Sequence, residues 1–277
     1  MNAAWIAAAI LAAGAGAVAA YLFRRAAQLE RLLAESKQQL EQLQRLFERF
    51  VPSDVVDRLT DARDAFTPQR RHVTMLFADL RDFTALCDRL DPAQSVALIN
   101  GYFERMGDAI ARHHGHLTEI VGDGLLALFG AVEPNPWQAR DAVLAALAMR
   151  DALAQYNAKL RAQSLPELRF GIGIHGGEVV CGVTGAGAFS KFGVAGDPIN
   201  VASRIEGLTR EHRVDLLVSA AVGAALDDGF RLRAMPPWFV KGKAEPVQTY
   251  FVEGLEADGA PAPDSSAARQ GERSRLG

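Results

Sequence analysis

The sequence lacks the features that mark several common protein classes. It has only two cysteines, Cys87 and Cys181, in separate segments that read as core; this argues against a disulfide framework or a cysteine metal cluster and fits a reducing compartment. No GxxxxGK[ST] motif occurs, so a P-loop nucleotide site is not supported. The net charge of -3, from 30 basic and 33 acidic residues, gives no general reason to expect a nucleic-acid partner. Any phosphate binding must therefore be local.

Charge is also absent from residues 3–23, an uncharged run of 21 residues that Arg24 and Arg25 follow directly. A helix of that length spans about 30 Å at ~1.5 Å per residue, the hydrocarbon thickness of a bilayer. No Lys or Arg precedes the run. The positive-inside rule therefore predicts a single-pass anchor (1–25) in the inner, cytoplasmic membrane, with the rest of the chain in the cytoplasm. The alternative is a cleaved signal peptide, which the missing basic region before the run opposes.

After the anchor, apolar residues recur at alternating spacings of four and three, with one polar interruption. This heptad pattern predicts a short parallel coiled coil, although a single amphipathic helix is the alternative. With a second short helix after Pro52 and a polar linker, this stalk fills 26–70. The repeat consists of Leu29, Leu33, Ser36, Leu40, Leu43, Phe47 and Phe50.

From residue 71 to 255 the pattern changes to alternating strands and helices. It predicts an α/β (α+β) domain with a mixed or antiparallel sheet and helices on one face. The last segment, 256–277, is rich in Ala, Pro, Ser and Gly and is predicted to be a disordered tail. Strands are predicted at 73–78, 117–121, 125–129, 169–175, 178–183, 215–219, 230–233 and 247–252, and helices up to about 112 and at 137–160 and 198–208.

Two carboxylates are candidates for metal binding. Asp79 stands at the end of a predicted buried strand, and Asp123 stands in the glycine-flanked turn of a predicted hairpin. Oxygen ligands at a strand end and in an adjacent tight turn can converge on hard divalent cations. Taken singly, Asp79 is equally well read as a helix cap and Asp123 as a plain turn residue.

A third candidate element carries Asn200 and Arg204, which are four residues apart and so share one face of the predicted helix. A guanidinium can bind phosphate oxygens in a forked geometry, and an amide suits a ribose. Considered alone, Arg204 is more simply a solvated side chain on a surface helix.

Together these segments resemble the class III adenylyl and guanylyl cyclases. The resemblance covers about residues 71–253 and rests on five motifs in the family's order and spacing. It implies a ferredoxin-like catalytic fold in a homodimer with two active sites at the interface, and two divalent cations, Mg²⁺ or Mn²⁺. The motifs are FADLRDFT, EIVGDGLLALFG, GIGIHGGEVVCGVTG, FGVAGDPINVASRIE and WFVKGKAEPVQTYFV.

The resemblance also assigns roles to individual residues. Asp79 and Asp123 correspond to the metal-binding aspartates, and the carbonyl of Leu80 adds a ligand. Asn200 and Arg204 would come from the partner subunit, to orient the ribose and to stabilise the transition-state phosphate. The remaining assignments are to substrate binding and comprise Phe83, Thr84 and Lys241, the last with Lys243 as the alternative for the terminal phosphates.

The positions that select the base depart from a clean pattern. In adenylyl members of the family a Lys usually stands four residues before the second metal aspartate, and an Asp or Thr stands seven before the Asn. Here these positions hold Glu119 and Gly193. Glu119 matches the guanylyl pattern, because a carboxylate can accept from the N1-H and N2-H groups of guanine. Gly193 offers the base no side chain, so ATP and GTP both stay open as substrates.

Other functions are less well supported by these residues. A catalytically silent cyclase-like regulatory module would be expected to have lost some of the residues assigned above. A diguanylate cyclase would need a GG[DE][EF] motif, which the hairpin lacks. His113, His114 and His116 are typical of a solvated loop rather than of a transition-metal site.

Overall fold

The computed structural model describes residues 25, 68–184, 191–238 and 246–256. By its internal contacts the chain divides into two units, 1–61 and 62–277, and nearly all described residues belong to the second. The predicted anchor, coiled coil and tail lie almost entirely outside the described residues, as do Lys241 and Lys243. Among the residues described, no helix combines the length and apolar character needed to cross a membrane.

The described residues form eight strands and five helices. The strands are β1 (Gln69–Leu80), β2 (Gly115–Val121), β3 (Gly124–Phe129), β4 (Phe170–Thr184), β5 (Lys191–Ala195), β6 (Leu216–Ser219), β7 (Phe230–Ala234) and β8 (Thr249–Leu255). The helices are α1 (Phe83–Cys87), α2 (Pro92–Arg112), α3 (Gln138–Ala162), α4 (Asp197–Glu211) and α5 (Ala220–Gly223).

The first four strands and the helices α2 and α3 form a βαββαβ unit. Their order in the sheet is β2-β3-β1-β4, and every neighbouring pair is antiparallel. This order and direction are those of the ferredoxin-like fold that the sequence predicts. The sheet then continues through β6, which is parallel to β4, to β8 and β7, so the predicted mixed sheet is confirmed.

Helix α2 shows why the sequence folds locally as it does. Asp91 caps its first turn by accepting from the backbone N–H of Ala93, and Gln94 completes a capping box behind Pro92. The helix then buries an apolar stripe at helical spacing against α3 and the sheet. The fully covered side chains of this stripe are Leu98, Tyr102, Met106, Ala109 and Ile110.

The sheet is covered on both faces, which corrects the prediction of helices on one face. Leu76, Ala78 and Leu80 of β1 belong to the core beneath α2 and α3. Alternate residues of the same strand, Val73 and Met75, belong to a second core that includes Ala202 of α4. Because successive strand residues point to opposite faces, α4 must lie on the face opposite α2 and α3.

Strand β4 is also longer than predicted. The sequence predicts two strands, 169–175 and 178–183, but the chain continues as one strand from Phe170 to Thr184. Gly176 and Gly177, read as a break, instead pair with Thr74 and Val73 of β1. A Cβ on Gly177 would lie 2.7 Å from Pro198, so the glycine admits the start of α4. The C-terminal end of β4 pairs with β5, a strand that was not predicted from the sequence.

Candidate active site

Asp79 lies where the sequence places it, near the end of β1. It pairs with Gly171 of β4 and is half-buried on the sheet face that α4 covers. The next residue, Leu80, has its side chain buried on the opposite face, in the main core. Only its backbone carbonyl is therefore suited to the ligand role that the family resemblance gives it.

The β2–β3 hairpin brings Asp123 to the same end of the sheet. Its two-residue turn places Gly122 at a left-handed φ of 64°, the pattern of a type II′ turn with glycine first. Gly124 then passes so close to Asp79 that an added Cβ would lie 2.9 Å from Oδ2. The predicted hairpin and the predicted convergence of the two aspartates are both present.

The two carboxylates influence each other electrostatically. Burial raises the pKa of Asp79 above its usual range, and the negative charge of Asp123 raises it further, while Arg210 and Arg81 act in the opposite direction. A carboxylate whose ionised form is disfavoured in this way, as that of Asp79 is, is stabilised by a cation placed beside it.

A polar network beside Asp79 was not predicted from the sequence. The guanidinium of Arg81 donates to the hydroxyl of Thr209, and that hydroxyl donates to the carbonyl of Glu206. The side chains of Glu206 and Arg81 both lie over Gly171. A Cβ added to this glycine would lie 2.6 Å from Oε1 of Glu206 and 2.7 Å from Nη2 of Arg81. Burial, assisted by the charge of Asp79, raises the pKa of Glu206 to about 7.

One sequence signal could have revealed this network. Ala202, Glu206 and Thr209 stand at spacings of four and three, which is the sheet-facing stripe of α4. A glutamate in a stripe that is otherwise small and apolar marks a buried carboxylate, and a buried carboxylate needs a partner.

The segment that follows β1 contains the predicted substrate residues Phe83 and Thr84. Asp82 adopts a left-handed φ of 56° and turns the chain into the short helix α1. The side chain of Phe83 packs against the main core, whereas Thr84 is exposed. First-turn N–H groups of a helix lack intrahelical acceptors. Phe83 and Thr84 can therefore offer a substrate their backbone N–H groups.

Asn200 and Arg204 do not join the two aspartates within one chain. Ala202 and Glu206 face the sheet at Gly173, whose added Cβ would lie 2.6 Å from Cα of Glu206. Successive helix residues turn by about 100°, so Arg204 lies about 200° from both contacts, on the other side of the helix. Its Nη1 atom is buried and has no hydrogen-bond partner among the described residues.

Gly193 is also distant from Asp79 in one chain. It pairs with Gly182, whereas Asp79 pairs with Gly171. The eleven steps between these two residues of β4 correspond to about 35 Å of extended chain. The predicted base-selecting position and the metal-binding position therefore pair with opposite ends of β4.

Glu119 lies in β2, four residues before Asp123, and is half-buried. The pairing of β2 with β3 shifts register between Leu117 and Glu119, so Thr118 forms a bulge and its hydroxyl donates to the carbonyl of Leu126. Beyond the bulge, Ile120 and Val121 are exposed at 50% and 73%.

The donor set fits divalent cations. Asp79 and Asp123 supply carboxylate oxygens, and Leu80 can add a carbonyl oxygen, the ligand types that Mg²⁺ and Mn²⁺ prefer. The close approach that Gly124 allows brings the hairpin against the Asp79 carboxylate. The part of the chain that the structure describes holds no cluster of three or more His, Cys, Asp or Glu side chains suited to a metal.

Comparison with known families agrees with this arrangement. Residues 66–254 match the model of a family described as the adenylate and guanylate cyclase catalytic domain. Adenylate cyclase 1 of Rhizobium meliloti (strain 1021) is 33% identical over 186 residues, and adenylate cyclase of Anabaena cylindrica is 33% identical over 218 residues. These matches cover 67% and 75% of this chain but 28% and 42% of the relatives, so the chain spans less than half of their length.

Solved structures of the same class are similar over most of the described region. The guanylyl cyclase Cya2 is 33% identical with a TM-score of 0.62, and the match covers 70% of this chain and 98% of that chain. The adenylyl cyclase CyaB from P. aeruginosa is 27% identical with a TM-score of 0.65, covering 70% and 100%.

Proposed function

This chain belongs to the adenylate and guanylate cyclase catalytic-domain family, and from that premise we propose that it converts ATP or GTP to a 3′,5′-cyclic nucleotide and pyrophosphate. The observation that carries the proposal is the convergence of Asp79 and Asp123 at one end of the sheet. A carboxylate pair of this kind is the device by which proteins hold cations against a triphosphate.

In the proposed reaction the ribose 3′-oxygen attacks the α-phosphorus and pyrophosphate leaves. Asp79, Asp123 and the Leu80 carbonyl would hold two divalent cations, which supply charge neutralisation for the attacking and departing oxygens. The first turn of α1 offers the backbone N–H groups of Phe83 and Thr84 to the phosphates. The remaining requirement is a positive group at the transferring phosphoryl, and Arg204 is the residue suited to it.

In the proposed homodimer, the second subunit would place its Arg204 beside the phosphoryl group that Asp79 and Asp123 hold. Within one chain the arginine lies on the side of α4 away from Asp79, and Gly193 of β5 pairs with the end of β4 that is distant from Asp79. Each site would therefore take its aspartates from one subunit and Asn200 and Arg204 from the other. The assignment of Lys241 to the terminal phosphates comes from the family resemblance.

The direct test is product analysis. The purified chain is incubated with ATP or GTP in the presence of Mg²⁺ or Mn²⁺, and products are identified by mass. We expect a cyclic monophosphate and pyrophosphate, and loss of both products in Asp79→Ala and Asp123→Ala variants whose circular dichroism is unchanged. A silent regulatory module would bind nucleotide without releasing either product.

Mixing two inactive variants tests the shared site. Equal amounts of Asp79→Ala and Arg204→Ala subunits should give half heterodimers, each with one intact site, and so about a quarter of wild-type activity. The matched control mixes Asp79→Ala with Asp123→Ala. These two changes damage both sites of the heterodimer, so no activity should return. Equal recovery in both mixtures, or recovery in neither after proven subunit exchange, would contradict the composite site.

The membrane position is a separate proposal. The uncharged run at 3–23 and the following arginines support an inner-membrane anchor with the catalytic domain in the cytoplasm, where nucleoside triphosphates are available. Deleting residues 1–25 should move the protein from the membrane fraction to the soluble fraction. Recovery of a shortened, processed chain outside the cytoplasm would instead support a cleaved signal peptide.

A further inference from the structure

A cavity of about 880 Å³ opens at the end of the sheet where β1 ends and where β4 and β6 begin. Its walls come from the second half of α3, the end of α4 and the adjoining strand ends. None of the described residues assigned above to metal or substrate lines it. It is therefore a second concave site beside the carboxylates, in the size range of small-molecule pockets.

The cavity is strongly basic. Among the described lining residues, six arginines face two aspartates, and Glu253 beside the cavity pairs with Arg233, which leaves an excess of three positive charges. The partial negative charge of about half a unit at the C-terminal end of α4 is small beside this excess. The six are Arg81, Arg150, Arg169, Arg210, Arg213 and Arg233.

Three of these arginines already have structural partners, and one of the three is Arg81, which donates to Thr209. Arg150 forms a forked ion pair with Asp215, with both N–O distances at 2.8 Å, and also donates to the carbonyl of Val252. Arg233 pairs with Glu253 at 3.1 Å. These contacts hold the guanidinium groups of Arg150 and Arg233 in place, and they engage N–H donors that a ligand would otherwise use.

Other arginines of the cavity have donors to spare. The side chains of Arg210 and Arg213 make no hydrogen bond or ion pair with any described residue, although both stand at the end of α4 beside the cavity. The charge of Arg210 acts on Asp79 and Glu206 only at longer range. Arg169, at the start of β4, has only a 3.6 Å contact with the exposed Asp82. Arg213 is moreover held at a left-handed φ of 55°, a conformation that favours asparagine or glycine over arginine.

We propose that this cavity binds a small molecule that carries two or more phosphate groups. A guanidinium presents a planar fork that matches phosphate oxygens, and guanidinium groups with unused donors come from two separate segments of the wall. One phosphate group would engage Arg210 and Arg213, and a second would engage Arg169. Free diphosphate and the diphosphate part of a nucleotide share this chemistry.

Calorimetric titration of the full chain in metal-free buffer tests the site without depending on catalysis. Inorganic pyrophosphate and ADP are the two probes. Without divalent cations the carboxylate pair repels both anions, so binding at the cyclase site is suppressed. We expect pyrophosphate to bind one site per chain. Tighter binding of ADP would assign the ligand to nucleotides, and equal or weaker binding would assign it to free diphosphates.

The variants separate this cavity from other basic surfaces. Arg210→Gln with Arg213→Asn should weaken pyrophosphate binding at least tenfold, and the asparagine keeps the left-handed backbone. The matched control, Arg70→Gln with Arg112→Gln, removes the same charge from side chains outside the cavity and should leave binding within twofold of wild type. Arg204→Gln should also leave it unchanged.

Three results would overturn the proposal. These are the absence of pyrophosphate binding to the wild-type chain, equal weakening in both double variants, and loss of binding in Arg204→Gln alone. The single variant Arg213→Asn, with an expected severalfold weakening, keeps the test valid if the double variant is unstable. Because no cyclase activity is measured, failure here leaves the proposed reaction untouched.

Discussion

Replacing Glu206 by glutamine should stabilise the protein at neutral and alkaline pH. Burial raises the pKa of this carboxyl from its ordinary 4.5 to about 7, a value that already includes the attraction of Arg81 and Arg210. Between these two values the folded protein holds a proton that the unfolded chain has released, so stability falls as pH rises through this window. At ~1.4 kcal/mol per pKa unit, the ionised carboxylate costs about 3 kcal/mol above pH 7.

The assay is urea denaturation of the metal-free protein at pH 5 and pH 8, wild type against Glu206→Gln. The free-energy difference between the two proteins cancels the contributions of groups that both share. It should be small at pH 5 and should reach about 2 to 3 kcal/mol in favour of the variant at pH 8. Glu211→Gln, an exposed change on the same helix, is the control and should alter the unfolding free energy by less than about 0.5 kcal/mol at either pH. If Glu206→Gln is no more stable than wild type at pH 8, the buried-carboxylate reasoning is wrong.

Four further substitutions test close contacts and base selection. Gly124→Ala should push the Asp79 carboxylate aside and lower kcat by about tenfold or more, with a higher metal requirement. Gly173→Ala should cost about 2 kcal/mol or more in unfolding free energy because its Cβ meets the backbone of α4, whereas Gly207→Ala, with open space around it, should stabilise by up to about 1 kcal/mol. Glu119→Lys should lower kcat/KM for GTP at least about tenfold, since two charge-assisted bonds to guanine would be lost; an unchanged GTP to ATP ratio would show that this residue does not contact the base.

The parts of the site that local sequence signals encode were predicted well. The glycine-flanked turn specifies the hairpin that carries Asp123, and the apolar run before Asp79 specifies the strand that ends there. Both signals operate over a few residues, where turn chemistry and strand periodicity decide the structure. The helical spacing of Asn200 and Arg204 likewise predicts their common face correctly.

The parts that depend on long-range packing were not predicted. The network of Arg81, Glu206 and Thr209 joins residues more than 120 positions apart, and it forms only because Gly171 leaves room for it. The continuity of β4 through Gly176 and Gly177 depends on pairing with β1 and on the approach of Pro198. Tertiary pairing here overrides the local tendency of two glycines to break a strand.

The surface beside Asp123 is suited to the proposed dimer. Ile120 and Val121 expose apolar side chains at the tip of the hairpin, and a partner subunit that covered them would contribute favourable apolar burial. Arg204 lies on the side of α4 away from Asp79 of its own chain, so a phosphoryl group held against Asp79 and Asp123 can meet this arginine only from a second subunit. A two-fold dimer that covered the hairpin tip and brought the partner's α4 to the carboxylate pair would bury these apolar side chains and complete two equivalent sites at once.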